Sequence, residues 1–281
     1  MQDWDLLVQE ISQNKIPGLA LGSATDSDVQ HLADLTGLQQ LHLAGTRITD
    51  AGLASLKALR ELQQLSLSRT QITDAGLVHL KALTSLRDLN LVDTKITDAG
   101  LEHIRGLTAL QGLYLQSPEI TDAGVEHLQG LTQLKSLFLI TQLTDTGMEH
   151  LKGLTGLQWL FLGSGAVSDR GMECLKGLTG LQHLYLIGTT DKGLESLKGL
   201  TGLQGLYLLQ TKITDAGLEH LKGLTGLEDL SLVNTLITES GLEHLKGLTG
   251  LRYLYLSGTQ VTDAGVQQLQ QSLPMLTIKR D

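Results

Sequence analysis

Nine histidines and one cysteine are the residues of this 281-residue chain best suited to ligate a metal or act as a nucleophile. Six of the histidines, His79, His103, His127, His150, His220 and His244, recur at a near-constant interval, and Cys174 takes the same place in its own interval. A zinc site needs every ligand within about 2.0–2.1 Å of one ion. Side chains that recur once per interval on neighbouring parallel helices stand about 8–10 Å apart and do not converge. The histidine column therefore reads as a solvent-facing stripe, with His42 and His183 isolated on the opposite face. Cys174 has no histidine and acid pair placed beside it by the spacing, so it reads as a lone thiol rather than a nucleophile. The glycine-rich pieces contain no Gly-x-x-x-x-Gly-Lys-Ser/Thr phosphate loop. These residues give no catalytic centre, no metal site and no cofactor, and the chain reads as a non-enzyme.

The aromatic residues carry a different chemistry. Besides histidine there are nine, and Trp4 stands apart near the N-terminus. The other eight are Tyr114, Phe138, Trp159, Phe161, Tyr185, Tyr207, Tyr253 and Tyr255. Each lies within a Leu-x-x-Leu-x-Leu segment, at its third or fifth place. In an extended segment the fourth and sixth residues share one face and the third and fifth share the other. Leucines that fill a core therefore push all eight rings onto the opposite surface. Tyr114, Phe138, Phe161, Tyr185 and Tyr207 occupy one column in five consecutive segments, which at about 4.8 Å per strand is a stripe of roughly 19 Å. Gly112 and Gly205 are expected to leave open space beside the rings.

The stripe implies a scaffold, and the stretch Leu203–Gly226, LQGLYLLQTKITDAGLEHLKGLTG, is its unit. It recurs with small edits from about residue 16 onward, which is the sign of a solenoid. Segments beginning at Leu38, Leu62, Leu86, Leu110, Leu134, Leu157, Leu181, Leu203, Leu227, Leu251 and Leu273, with Ile16–Leu21 before them, give twelve strands. Thr-Asp pairs such as Thr49-Asp50 and Thr73-Asp74 start each helix with a capping side chain and a negative charge. Glu149/Lys152, Glu173/Lys176, Glu195/Lys198, Glu219/Lys222 and Glu243/Lys246 form solvated i, i+3 pairs. The glycine of each Lys-Gly-Leu is expected to end the helix.

The Leu-x-x-Leu-x-Leu-x-x-Thr-x-Ile-Thr-Asp-Ala-Gly-Leu pattern resembles the leucine-rich repeat, in the ribonuclease-inhibitor-like variety. The column often held there by cysteine or asparagine is mostly threonine here: Thr46, Thr70, Thr94, Thr211, Thr235 and Thr259. Such threonine-type arrays resemble bacterial repeat proteins. The resemblance implies an α/β solenoid, a horseshoe with a concave parallel sheet of about twelve strands and convex helices.

Residues 1–15 read as a capping helix, started by Asp3, with Trp4, Leu7, Val8 and Ile11 on one face and Trp4 in the core. Residues 16–281 read as the array, ending in a capping strand. Pro17 and Pro274, each the second residue of a terminal strand, block further pairing, so the array is expected to be complete. The middle departs from the pattern. Pro118 replaces the column threonine, the repeat around Ile140–Leu143 is one residue short, Gly165 takes the next threonine place, and Gly188–Asp191 lacks two residues. These edits predict a reshaped rim.

Composition narrows the partner. The net charge is −9 and charged residues are 18% of the chain, so a nucleic-acid or anionic-membrane surface is not expected. A ring-lined groove for single strands would also need a basic track. One cysteine permits no intrachain disulfide, and no secretory signal or long apolar run is visible, which suggests a cytoplasmic protein. The expected function is binding of a protein or peptide by Tyr114, Phe138, Trp159, Phe161, Tyr185 and Tyr207, with Lys135 and His183 as polar partners. The same rings could instead stack as a sheet-stabilising ladder, or pair with another copy, so a monomer and a weak homo-oligomer both remain open. Sugar stacking and a ubiquitin-ligase substrate receptor are further readings, the latter without an F-box-like segment ahead of the repeats.

Overall fold

A computed structural model describes residues 4–163 and 166–280, so the roles read for Asp3 and Gly165 lie outside the described residues. The chain forms two compact units, residues 1–142 and 143–281. The first unit carries β1 (Gly18–Ala20), β2 (Gln40–His42), β3 (Gln64–Ser66), β4 (Asp88–Val92), β5 (Gly112–Thr121) and β6 (Ser136–Gln142). The second carries β7 (Trp159–Leu162), β8 (His183–Ile187), β9 (Gly205–Leu209), β10 (Asp229–Ser231), β11 (Tyr253–Tyr255) and β12 (Thr277–Lys279). Within each unit consecutive strands pair in parallel, with a helix after each strand but the last.

The leucine pattern builds one core layer per repeat. Leu62, Leu65 and Leu67 of one repeat, and Leu203, Leu206 and Leu208 of another, are buried, as are Ile72 and Ile213 beyond the strands and Leu77 and Leu218 on the helices. Each buried leucine contributes about 1.5–3 kcal/mol. Between strand and helix the chain turns through a left-handed residue, Gly45, Arg69, Asp93, Gly188, Gln210, Asn234 or Gly258. The column threonine follows directly. At Thr46, Thr70, Thr94, Thr235 and Thr259 its hydroxyl donates back to the strand carbonyl three residues earlier, as in Thr70 Oγ1 to Leu67 O (2.6 Å) and Thr235 Oγ1 to Leu232 O (2.7 Å), whereas the buried Thr189 and Thr211 hydroxyls find no partner among the described residues. That bond is why a small polar side chain is tolerated in an apolar layer.

In five repeats the helix is a single α-turn that tightens into 3₁₀, for example Asp215–Leu218 followed by Glu219–Leu221. The Lys-Gly-Leu glycines do not end them by a left-handed turn: the positive-φ glycines are Gly45, Gly188 and Gly258. Where the 3₁₀ turn runs longest, a leucine closes it instead (Leu178, φ −88°, ψ 54°). All five Glu–Lys pairs form, and they are exposed or nearly so.

The Thr-Asp-x-Gly motif joins successive repeats. Asp50 accepts the Thr73 backbone N–H (2.8 Å) and the Thr73 hydroxyl (2.6 Å) of the next repeat. Asp74 holds Thr97 in the same way, Asp98 holds Thr121, Asp191 holds Thr214 and Asp215 holds Thr238. The glycine three residues after that threonine makes room: a Cβ at Gly76 would overlap the Asp50 carboxylate, and one at Gly241 the Asp215 carboxylate. In the first repeat Asp28 stands in the glycine place and its own carboxylate takes the two Thr25 donors, at 2.8 and 2.7 Å. Near the other end, Arg280 donates to the Asp263 carboxylate and to Val261 O.

Several expectations are corrected. In α1 (Trp4–Asn14), Trp4 is half-buried rather than core. It stacks on His31 with centroids 5.6 Å apart and donates to Asp28 (2.9 Å). Ser117, not Pro118, fills the buried column place and donates to Ile96 O (2.9 Å), because here the chain after the strand stays extended as far as Thr121. Pro17 precedes β1, and Pro274 lies in the turn before β12. Leu276 N bonds Leu273 O just as Leu251 N bonds Leu248 O, so Leu273 and Leu276 close that turn and β12 starts four residues after Leu273. Among the described residues no helix is long and apolar enough to cross a membrane.

Candidate binding surface

In the second unit, burial of Leu160 and Leu162, Leu184 and Leu186, and Leu206 and Leu208 turns the intervening side chains to the other face of the sheet. Phe161, Tyr185 and Tyr207 are register partners across β7, β8 and β9, and Trp159 pairs with His183. Four rings meet there. Trp159 lies 5.3 Å from Tyr185 and 6.4 Å from Phe161, Phe161 lies 5.6 Å from Tyr185, and Tyr185 lies 4.1 Å from Tyr207. Each ring is half-buried, because the rings cover one another. Burial, and then a hydrogen bond with Tyr185, pushes the Tyr207 phenol well above the ordinary tyrosine range.

Gly205 does not leave a gap. A Cβ there would meet His183 Nδ1 and Tyr207 Cε2, so the glycine lets the imidazole and the ring lie flat on the strand. Beyond it, Ser231 is 5% exposed between its register partners Tyr207 and Tyr255. The Lys279 ammonium sits 5.3 Å from the Tyr255 centroid, and Tyr253, register partner of Asp229, is the exposed ring of the group at 43%. Glu228 and Arg252 pair at 3.5 Å.

In the first unit, Tyr114 and Phe138 are register partners on β5 and β6, and Asn90 on β4 is the other partner of Tyr114. Both rings are half-buried, and Lys135 is exposed just ahead of β6. Gly112 is also occupied: Asp88 from β4 leans over it, with Tyr114 Cε2 3.4 Å from the Cβ position. Burial raises the affinity of the Asp88 carboxylate for its proton, opposed by the nearby Arg87 charge. Burial first, and the Asp88 charge second, raise the Tyr114 phenol. Asp88 is the residue of this face that the pattern of rings alone underweights. The acid in the third strand place beside a glycine was the available signal for Asp88.

The other chemistry-bearing groups stay apart. The histidine column is half-buried rather than solvent-facing, and His103 Nδ1 and His220 Nδ1 are buried with no hydrogen bond among the described residues. Among the described residues no three His, Cys, Asp or Glu side chains could hold a metal ion. The buried Cys174 donates to Glu149 Oε1 (3.4 Å), and its thiol is pushed up to about 11, by burial first and then by Glu149. A depression of about 400 Å³ lies where α1 meets the first repeats, lined by Lys15, Pro17, Asp34 and Glu61 among others, away from the rings.

A family model described as leucine rich repeat matches residues 36–96 and 201–261. Among solved structures, an internalin of Listeria monocytogenes is similar at 22% identity and a TM-score of 0.73, over 98% of this chain and 92% of that one. A leucine-rich repeat protein of Leptospira interrogans is similar at 17% identity and a TM-score of 0.60, over 89% of this chain and 74% of that one. At these identities the likeness is one of fold. No curated protein matches the sequence. With one strand and one short helix per repeat, a leucine layer in each, and the family pattern in both units, the chain belongs to the leucine-rich repeat proteins.

Proposed function

We propose that this chain is a non-enzymatic binding protein that takes a protein or peptide ligand on the ring-bearing face of its sheet. The observation that carries the reading is the cluster of Trp159, Phe161, Tyr185 and Tyr207 in the second unit. The leucine core is complete without these rings. Tryptophan and tyrosine are the residues most enriched where binding energy concentrates, at about 2 kcal/mol or more each. Solenoids characteristically bind partners along this face. His183 is the polar member of the same patch. Tyr114, Phe138 and Lys135 are the corresponding residues on the first unit's face. The acidic net charge and the acids among the rings favour a polypeptide over nucleic acid.

Capture from a native lysate by wild type beside Trp159→Ala/Tyr185→Ala tests the reading, with both chains first shown to unfold at the same temperature. A partner held by wild type and released by the variant supports it. A partner held equally moves the site off the rings. No partner, with wild type dimeric and the variant monomeric, makes the ligand a second copy of the chain.

A further inference from the structure

The Asp88 carboxylate on the first unit's sheet pairs directly with no cation among the described residues. It is half-buried, and no hydrogen bond or ion pair reaches it among the described residues. This sets it apart from Asp50, Asp74 and Asp98, whose carboxylates each take two donors from the next repeat. Arg87, the adjacent base, contributes its field but forms no ion pair with it. A partly desolvated acid without a partner costs stability that a surface asparagine at this place would not.

What surrounds Asp88 is specific. Its carboxylate and the Tyr114 ring share the space over Gly112, where any side chain would displace them. Asn90, two residues on and on the same face, is the strand neighbour of Tyr114. A carboxylate beside a ring is the chemistry that receives a cation, the charge pairing with the acid and the flat ring with its alkyl stem or guanidinium plane. The chain uses half of this chemistry on itself, with Lys279 over Tyr255. The net charge of −9 would also draw a basic ligand toward the surface.

We propose that Asp88 and Tyr114 form the receptor for an arginine or lysine side chain of the bound polypeptide, so that the segment this protein recognises is basic. The proposal rests on the reading of the ring face as the binding surface and adds the chemical class of its ligand. An acidic or purely apolar segment would leave Asp88 buried further with nothing to compensate it, which selects against such ligands.

Selection from a random linear-peptide display library on the immobilised full chain tests it, followed by synthesis of a selected peptide. Peptides enriched in arginine or lysine over the starting library are expected. The synthetic peptide should bind Asp88→Asn about tenfold more weakly, and Tyr114→Leu should also weaken it, with the thermal midpoints of both variants near that of wild type. No basic enrichment, no selected peptide above background, or equal affinity for Asp88→Asn overturns the proposal. Binding lost on Trp159→Ala/Tyr185→Ala but kept on Asp88→Asn would retain the ring surface and remove the cation receptor. Binding kept on all variants would remove both.

Discussion

Tyr185 and Tyr207 stack face to face, with ring centroids 4.1 Å apart and planes 6° from parallel. The pair is held by strand spacing, since β8 and β9 place the two residues directly opposite one another. Burial and the Tyr185 hydrogen bond keep the Tyr207 phenol protonated where an exposed tyrosine, near 10.0, has ionised. Absorbance titration at alkaline pH should therefore show one of the five tyrosines ionising last, and Tyr207→Phe should remove that component. The unfolded chain loses this proton first, so the contribution to stability is intact below the unfolded value near 10.0 and is lost as pH rises above it. An unchanged titration curve in Tyr207→Phe would contradict the stack.

The Asp50–Gly76 contact across a repeat boundary predicts coupled substitutions. Asp50→Ala strips the acceptor from the Thr73 N–H and hydroxyl and should cost about 1–3 kcal/mol in urea unfolding. Gly76→Ala drives a methyl into the same carboxylate and should cost about 1–3 kcal/mol. Together they should cost less than the sum by roughly 0.5 kcal/mol or more, because the alanine fills space the aspartate has left. Additive costs would mean that the two residues act separately.

Acid should loosen the same ladder. Hydrogen bonds from Thr25 hold the Asp28 carboxylate below its ordinary value, and hydrogen bonding from Ser168 does so for Asp145. Lowered carboxylates add stability that is present above the unfolded value of 3.8 and is lost as pH falls through the lower folded values. Thermal midpoints should thus fall as pH drops below about 4, and Asp145→Asn should flatten that fall. An equal slope in the variant would remove Asp145 from the acid response.

The left-handed turn residues offer a gain. Gln210 adopts φ 51°, a conformation that Gly45, Gly188 and Gly258 occupy at the same place in other repeats. Gln210→Gly should stabilise the chain by about 0.5–1 kcal/mol, read as a higher urea midpoint at unchanged slope. A lower midpoint would show that the glutamine side chain offsets its own backbone strain.

Much of this architecture was legible in the repeat itself. Leu-x-x-Leu-x-Leu determines which residues are core, so the rings, their face and the Glu–Lys pairs followed from alternation and helical spacing. What the repeat concealed lies between repeats. Asp50 and Thr73 are 23 residues apart, and a constant motif gives no sign that its aspartate and its glycine belong to neighbouring copies of one device. Glycines were misread for the same reason: Gly112 and Gly205 look like vacancies along the strand but are filled from the strand beside them. At Ser117 and at Leu273–Leu276 the letters matched one register and hydrogen bonding selected another.

Trp159 gives the most direct test of the binding surface. The chain has two tryptophans, so in a Trp4→Phe background Trp159 alone reports by fluorescence. The partner captured from lysate would be titrated into this chain while calorimetry follows binding independently. A saturable shift of Trp159 emission, with the midpoint found by calorimetry, is the expected result. Calorimetric binding with Trp159 emission unchanged throughout would contradict the account, because the ligand would then be held elsewhere than on the rings.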